Sequence, residues 1–324
     1  MSTIVPDPIG LVGKLNTGVF LAVTPEYRKI IKKAQRPGAG RAEARPVQLA
    51  MRPEFRTIAG TKVRLAEGGK QDGPVVVLLC PLPQSILCYD PVWTKLAQRC
   101  RLIALDLPGF GRSEGGLEFM SFEAQSRFLV EFVRELGLEH VHMVGPDVGM
   151  PAALHYAIHR KHELASLLIG DGPAVSPSAN GSIIDKLVDS GLWRTVFRVT
   201  GAQAFVEGAH ALGCVAYVPS GAEVADYVAS YDGRIGTITR WFEAYPESIA
   251  TIDPHLATLD LPVQIFWGDL DVFLLEDNAR RLHQRLKRSR LRVFERCGHF
   301  SYQDRADEFA EMVLEWVGGG YRSV

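Results

Sequence analysis

The chain has 324 residues, with 36 Lys and Arg against 37 Asp and Glu, for a formal net charge of −1. A composition of 47% hydrophobic and 23% charged residues can build a sizeable core, which excludes a disordered, collagen-like or disulfide-framework chain. Near-neutral charge argues against a nucleic-acid partner and against an anionic membrane surface.

Residues 1–53 read as an arm and linker. Leu15 to Lys33 has helix-compatible spacing broken at Pro25, ends on the basic run RKIIKK, and is followed by RPGAGRAEARP, a linker composition. The expectation is an arm packed on the domain or on a second subunit, which leaves room for a homodimer; a membrane-surface helix is the alternative, because basic residues flank an apolar segment. The stretch near the N-terminus lacks the basic start and apolar length of a secretion signal. No run reaches the roughly 18 apolar residues of a membrane span. Five cysteines at 80, 88, 100, 214 and 297, none in a CxxC pair, read as reduced thiols rather than as bridges or a zinc site. These features together predict a cytoplasmic protein without stable membrane insertion.

From residue 54 the pattern becomes regular. Phe55–Ile58 and Thr61–Ala66 predict a hairpin turned at Ala59-Gly60. The continuous apolar run Val75–Cys80 suits a strand buried on both faces. A short helix at Val92–Arg99 and a strand at Leu102–Leu105 follow. Ser121–Leu136 has helical apolar spacing and stops at Gly137. Val141–Val144 is a strand, Pro151–Arg160 a helix and Leu164–Ile169 a strand. Residues 173–257 break the alternation with helix-compatible, aromatic-rich sequence. It resumes with a strand at Val263–Trp267, a helix near Glu276–Leu286, a strand at Leu291–Phe294 and a helix near Ala306–Val317. Strands alternating with helices predict an α/β fold whose mostly parallel sheet carries helices on both faces. The core spans 54–172 and 258–324, interrupted by a helical insertion at 173–257.

The most informative segment is the strand–turn–helix Val141-His142-Met143-Val144-Gly145-Pro146-Asp147-Val148-Gly149. Small residues on either side of a sharp turn let the central side chain stand above the sheet's carboxyl edge. Here that residue is Asp147. A carboxylate that displaces a group from saturated carbon forms an ester, and water can then cleave that ester. Capping of the following helix is the alternative role for such an Asp. The chain's one literal G-x-S-x-G, around Ser113, follows a Pro-Gly turn and leads into Gly116 rather than a helix, so Ser113 is not read as a nucleophile.

Arg296-Cys297-Gly298-His299 follows the last strand, and a His there can reach the turn and serve as base for water. His155, His159 and His162 read as surface or packing residues. Asp271 is the first choice for an acid to orient His299, with Asp171 and Asp269 as rivals. The turn Cys80-Pro81-Leu82-Pro83-Gln84-Ser85 places backbone N–H groups near the elbow, so Leu82 and Val148 are candidate oxyanion donors.

Taken in order, these elements resemble the α/β-hydrolase superfamily, and within it the Asp-nucleophile branch of epoxide hydrolases and dehalogenases. Asp106-Leu107-Pro108-Gly109-Phe110-Gly111-Arg112-Ser113 is similar to that branch's D-x-P-G-[FY]-G-x-S turn. Leu79-Cys80-Pro81-Leu82-Pro83-Gln84-Ser85 resembles its L-H-G-F-P-Q-S, with Cys80-Pro81 in place of His-Gly. The resemblance implies the α/β-hydrolase fold with a helical cap at 173–257 and no metal or organic cofactor. It also implies cap tyrosines that donate to an epoxide oxygen. Phe242 stands where the branch has its second cap Tyr, so Tyr245, Tyr231, Tyr227 and Tyr217 are the candidate donors, with Trp241 and Phe242 as substrate contacts. Dehalogenases of the branch carry Trp or Arg beside the nucleophile. Here Val148, Leu82 and Pro151 occupy those positions, and a halide would need another donor such as Trp93, Trp193 or Trp241.

The expectation is an enzyme that opens a small apolar epoxide to a diol. Asp147 is the nucleophile, His299 the base and Asp271 its orienting acid. A dehalogenase with a non-standard halide site, another acyl or lactone hydrolase, and a non-catalytic binding protein on the same fold are the alternatives.

Overall fold

The computed structural model describes residues 49–176 and 182–324, together with Leu11 and Leu15. Apart from Leu15 itself, the one or two helices expected over Leu15–Lys33 and the linker after them lie outside the described residues.

Eight strands form one sheet: β1 (Glu54–Ile58), β2 (Thr61–Gly69), β3 (Val75–Leu79), β4 (Arg101–Leu105), β5 (Val141–Pro146), β6 (Leu164–Gly170), β7 (Val263–Gly268) and β8 (Ser289–Phe294). Their order is β1-β2-β4-β3-β5-β6-β7-β8. The first two junctions are antiparallel and the others parallel. The β1–β2 turn uses Ala59 and Gly60, both at positive φ (49° and 78°), as a tight primed hairpin requires. Strands β3, β4 and β5 are almost wholly buried, and β3 (VVVLL) and most of β4 (RLIAL) are accordingly apolar runs without alternation.

The core helices are α1 (Asp90–Ala97), α2 (Phe122–Glu135) and α3 (Gly149–Arg160). The chain steps from β3 to β4 in one direction and from β4 to β5 in the other. Right-handed crossovers therefore put α1 on one face and α2 and α3 on the opposite one. Helix α2 packs on α3 accordingly. Ser121 caps α2 through its side chain, and Gly137, at positive φ, ends it.

Between β6 and β7 the chain forms α4 (Ile183–Asp189), α5 (Gly191–Gly213), α6 (Gly221–Tyr231), α7 (Ile235–Glu243) and α8 (Tyr245–Ala250). The sequence marked this region as helical without dividing it. Helix α5 kinks at Gly201, whose φ of 78° breaks the helical path. After β7 come α9 (Asp277–Arg285), the short α10 (Ser301–Asp304), which the sequence did not signal, and α11 (Ala306–Val317). Helix α11 returns to pack on α1. Among the described residues no helix is long and apolar enough to cross a membrane.

Buried polar contacts fasten the insertion to the core. Arg64 on β2 bonds Asp106 at 2.8 Å and, in bidentate fashion, Asp226 on α6 at 2.7 and 2.9 Å. Ser85 donates to the same Asp226 at 2.6 Å. Tyr231 donates to the Gln84 carbonyl at 2.7 Å and accepts from the Gly111 N–H. A planar guanidinium held by two carboxylates fixes direction as well as distance, so helix α6 is set over the carboxyl end of the sheet.

Candidate active site

The sheet order reverses around β3, with β4 on one side and β5 on the other, and open α/β sheets gather their sites at such switch points. The loops leaving β3, β5, β6, β7 and β8 meet above this point.

Asp147 follows β5 with φ at 49°, a strained value for a residue bearing a Cβ. The elbow is packed so tightly that a Cβ on Gly145 would come within 2.5 Å of the Gly149 carbonyl oxygen, and one on Gly149 within 2.9 Å of Leu79. Glycines are required there. The carboxylate does not serve as a helix cap; it turns across the sheet edge. Its Oδ2 accepts the Leu82 N–H at 2.6 Å, and its Oδ1 lies 3.7 Å from His299 Nε2. The two oxygens are thereby distinguished: one is held by backbone and the other faces the His299 imidazole. Of the two backbone donors expected, the Leu82 N–H reaches the carboxylate, and Val148 is the buried N-cap of α3.

His299 is buried on the loop after β8. Its Nδ1 is 2.8 Å from Asp271 Oδ2, and the second Asp271 oxygen accepts the Phe273 and Leu274 N–H groups. Burial alone would lower the imidazole pKa, but the Asp271 and Asp147 charges on either side outweigh it and hold the ring well above its ordinary 6.5. The rival acids are engaged elsewhere. Asp171 is wholly buried and accepts from Ser301 Oγ at 2.7 Å and from the Gly268 N–H. Burial first, and then the Asp271 charge, push its pKa well above the usual carboxylate range. Asp269 accepts the Cys297 N–H.

Above Asp147 lies a cavity that holds, with its mouth, about 970 Å³. Leu82, Pro83, Phe273 and Leu274 wall it from the core, and α4 and α5 roof it. Ala204, Gly208 and Ala209 on α5 face the space, and their small side chains leave it room. That run of small residues at helical spacing is a signal that sequence reading passed over. Among the described residues, Asp147, His299 and Tyr245 are the titratable groups of the lining, and no Lys or Arg joins them.

The four candidate tyrosines separate. Tyr245 lines the cavity beside Phe242, and burial together with the Asp147 charge pushes its hydroxyl well above the ordinary 10.0. The other three lie outside the cavity lining and make packing contacts. Tyr217 donates to Glu223 at 2.7 Å. Tyr227 stacks on His210 at 5.3 Å and receives Gln303 Nε2. Tyr231 is spent on the backbone contacts that dock α6. Trp241 likewise lies outside the lining: it sits against Phe110 and Phe122, with ring centroids 5.1 Å apart in each case, and anchors α7 to the core. Phe242 and Trp193 line the cavity, whereas Trp93 packs against Gly68. Ser113 donates to the Asp106 carbonyl and accepts the Arg64 N–H, a turn-stabilising role. Among the described residues no group of three or more His, Cys, Asp or Glu is arranged to hold a metal ion.

Comparison with known proteins gives the fold family. Residues 74–306 match the family model of the alpha/beta hydrolase fold. A 2-hydroxy-6-oxononadienedioate/2-hydroxy-6-oxononatrienedioate hydrolase of Dechloromonas aromatica is 25% identical over 223 residues, covering 67% of this chain and 76% of its own. Among solved structures, a haloalkane dehalogenase from Bradyrhizobium elkani superposes with a TM-score of 0.72 at 20% identity, over 84% of this chain and 99% of its own. An epoxide hydrolase from Vigna radiata superposes with a TM-score of 0.69 at 17% identity, again over 84% and 99%. At such identities the structural likeness carries the fold and leaves the chemistry to the site. With the model matching well over half of its length, the chain belongs to the alpha/beta hydrolase fold family.

Proposed function

We propose that this hydrolase opens an uncharged, apolar epoxide to a diol through an ester on Asp147. The observation that carries the reading is the division of labour between the two Asp147 oxygens. The free oxygen faces the cavity and His299, while the other already rests on the Leu82 N–H at 2.6 Å.

In the first step Asp147 Oδ1 attacks an epoxide carbon. The new carbon–oxygen bond replaces the ring bond, and the released oxygen takes a hydrogen bond from Tyr245. The negative charge has moved from Asp147 to the substrate, and the proton on His299 passes to that oxygen. In the second step the neutral imidazole removes a proton from water, and hydroxide adds to the Asp147 carbonyl carbon. The charge collects on Oδ2, where the Leu82 N–H stabilises it. Collapse expels the alkoxide, which takes the proton of the added hydroxyl and leaves as the diol; the carboxylate and the imidazolium are restored, so epoxide plus water gives diol with no net proton change.

The lining supports an uncharged substrate. A diacid such as the one named for the Dechloromonas relative would bring two carboxylates against a wall whose described residues include no Lys or Arg, and buried charge without a partner is costly. A dehalogenase is the second reading, because Trp193 places an indole in the cavity wall. Both share the first step and differ in what it leaves behind.

Intact-protein mass of the His299→Gln variant, incubated with apolar epoxides and organohalides, separates them. A gain of the whole epoxide mass is expected. A gain of substrate minus halogen favours the dehalogenase, and no adduct across the panel refutes both.

A further inference from the structure

The base is held from an unexpected side. His299 is anchored on the insertion as well as on β8: its backbone N–H donates to the Gly213 carbonyl, at the end of α5, at 2.8 Å. The approach is so close that a Cβ on Gly298 would collide with that same carbonyl oxygen. A Cβ on Gly213 would run into Phe273 and Phe300.

One buried carboxylate fastens this junction. Asp304 Oδ1 accepts the N–H groups of Val215 (3.1 Å), Ala216 (2.9 Å) and Tyr217 (2.7 Å). Its Oδ2 accepts Val215 at 2.9 Å and Gly298 at 2.8 Å. Four backbone donors from two separate segments converge on one side chain. One segment follows the helix that roofs the cavity, and the other immediately precedes the catalytic base. Leu212, Ala209 and Gly208, the last turns of α5 before this knot, touch the cavity.

We infer that Asp304 is a positioning residue: it clamps the His299 loop to the cavity roof and sets the imidazole's aim at the Asp147 ester. This role rests on the two-step reading above and assigns Asp304 to the second step alone. Asp304 lies outside the cavity lining and does not touch Asp147, and His299 enters the first step only by passing its proton to the oxygen after the ring has opened, so the attack that forms the ester does not depend on the aim of the ring. Hydrolysis needs His299 placed to within a fraction of an ångström, and a misplacement of about 1 Å costs on the order of 100-fold.

Asp304→Asn is the selective perturbation. The remaining carbonyl oxygen is drawn to the three consecutive N–H groups, which leaves an amide donor facing the Gly298 donor. The tether to the His299 loop is lost while the roof contact survives. Gly298→Ala attacks the same junction from the other side and guards against a variant that fails to fold.

Two measurements decide it. The first needs no substrate: the proton shared by His299 Nδ1 and Asp271 is observed by proton NMR and assigned by its loss in His299→Gln. Expected is a broadened or shifted resonance in both variants with unchanged circular dichroism; a wild-type resonance in both overturns the inference. The second uses an epoxide that labels His299→Gln. Asp304→Asn should form the ester at the wild-type rate and hydrolyse it about 100-fold more slowly, so that the adduct accumulates. Turnover at the wild-type rate overturns the inference. If His299→Gln takes up no epoxide, the proposed function fails, and the NMR result alone decides the role of Asp304.

Discussion

Replacing Asp147 by Asn should lower the titration midpoint of His299. The imidazole lies between two carboxylates, 2.8 Å from Asp271 and 3.7 Å from Asp147, and the ring and both carboxylates are almost wholly buried. At an effective dielectric near 20, a unit charge pair about 4 Å apart interacts by about 4 kcal/mol. The Asp271 charge and then the Asp147 charge hold the proton on His299 in the free enzyme, and the Asp147 share vanishes when that residue becomes an ester. The asparagine amide reproduces the neutral, planar ester without chemistry. The Leu82 N–H draws the amide oxygen, so the amide nitrogen faces Nε2 as a donor, which disfavours protonation further. Proton and nitrogen NMR titration of His299 in the two proteins measures the effect. A midpoint in Asp147→Asn at or above the wild-type value would refute the idea that alkylation of the nucleophile switches on the base.

The same charge pair has a stability signature of definite sign. Because the folded-state value of His299 lies above its ordinary 6.5, its contribution is complete below that ordinary value and fades as pH rises through the folded value. The wild-type melting temperature should therefore fall over that rising range, with a smaller fall in Asp147→Asn. Identical profiles would show that the two residues are not coupled.

Two further outcomes are expected. Tyr245→Phe keeps the ring contacts to Phe122, Trp241 and Phe242 but removes the hydroxyl, so ester formation with an epoxide should slow about 10²- to 10³-fold at nearly unchanged stability; rapid-quench mass analysis would expose an unaffected rate. Trp241→Ala deletes a wholly buried ring that joins α7 to Phe110 and Phe122 and should cost about 3–5 kcal/mol, read as a lower urea midpoint, while a change under about 1 kcal/mol would mean the insertion is not anchored there.

The parts of the site that sequence exposed are those that local chemistry dictates. A strand, a glycine-flanked Asp and a helix leave one backbone path, and Asp147 at positive φ follows it. A His just past the last strand must fall at the sheet's carboxyl edge. The acid was not decided by the same logic. Asp171, Asp269 and Asp271 all follow central strands, and each finds backbone or hydroxyl donors: Ser301 and Gly268 take Asp171, Cys297 takes Asp269, and the Phe273–Leu274 turn takes Asp271. Only three-dimensional packing shows that the last retains an oxygen for His299. The tyrosines carry the same lesson. Spacing along α6 could not show that Tyr231 points down to Gln84, because that direction is set by Arg64 gripping Asp226 across 162 positions of chain.

This division explains why the insertion, not the sheet, should govern what the protein accepts and how fast it finishes. On the proposed reading the sheet supplies the nucleophile, its geometry fixed by glycines and its second oxygen already bound. The insertion supplies the apolar roof, the Tyr245 hydroxyl and, through Gly213, one anchor of the His299 loop. A substrate pressed against α5 thus bears on the element that aims His299. Changes in that helix should alter substrate range and ester hydrolysis together, while leaving the reactivity of Asp147 itself to the core.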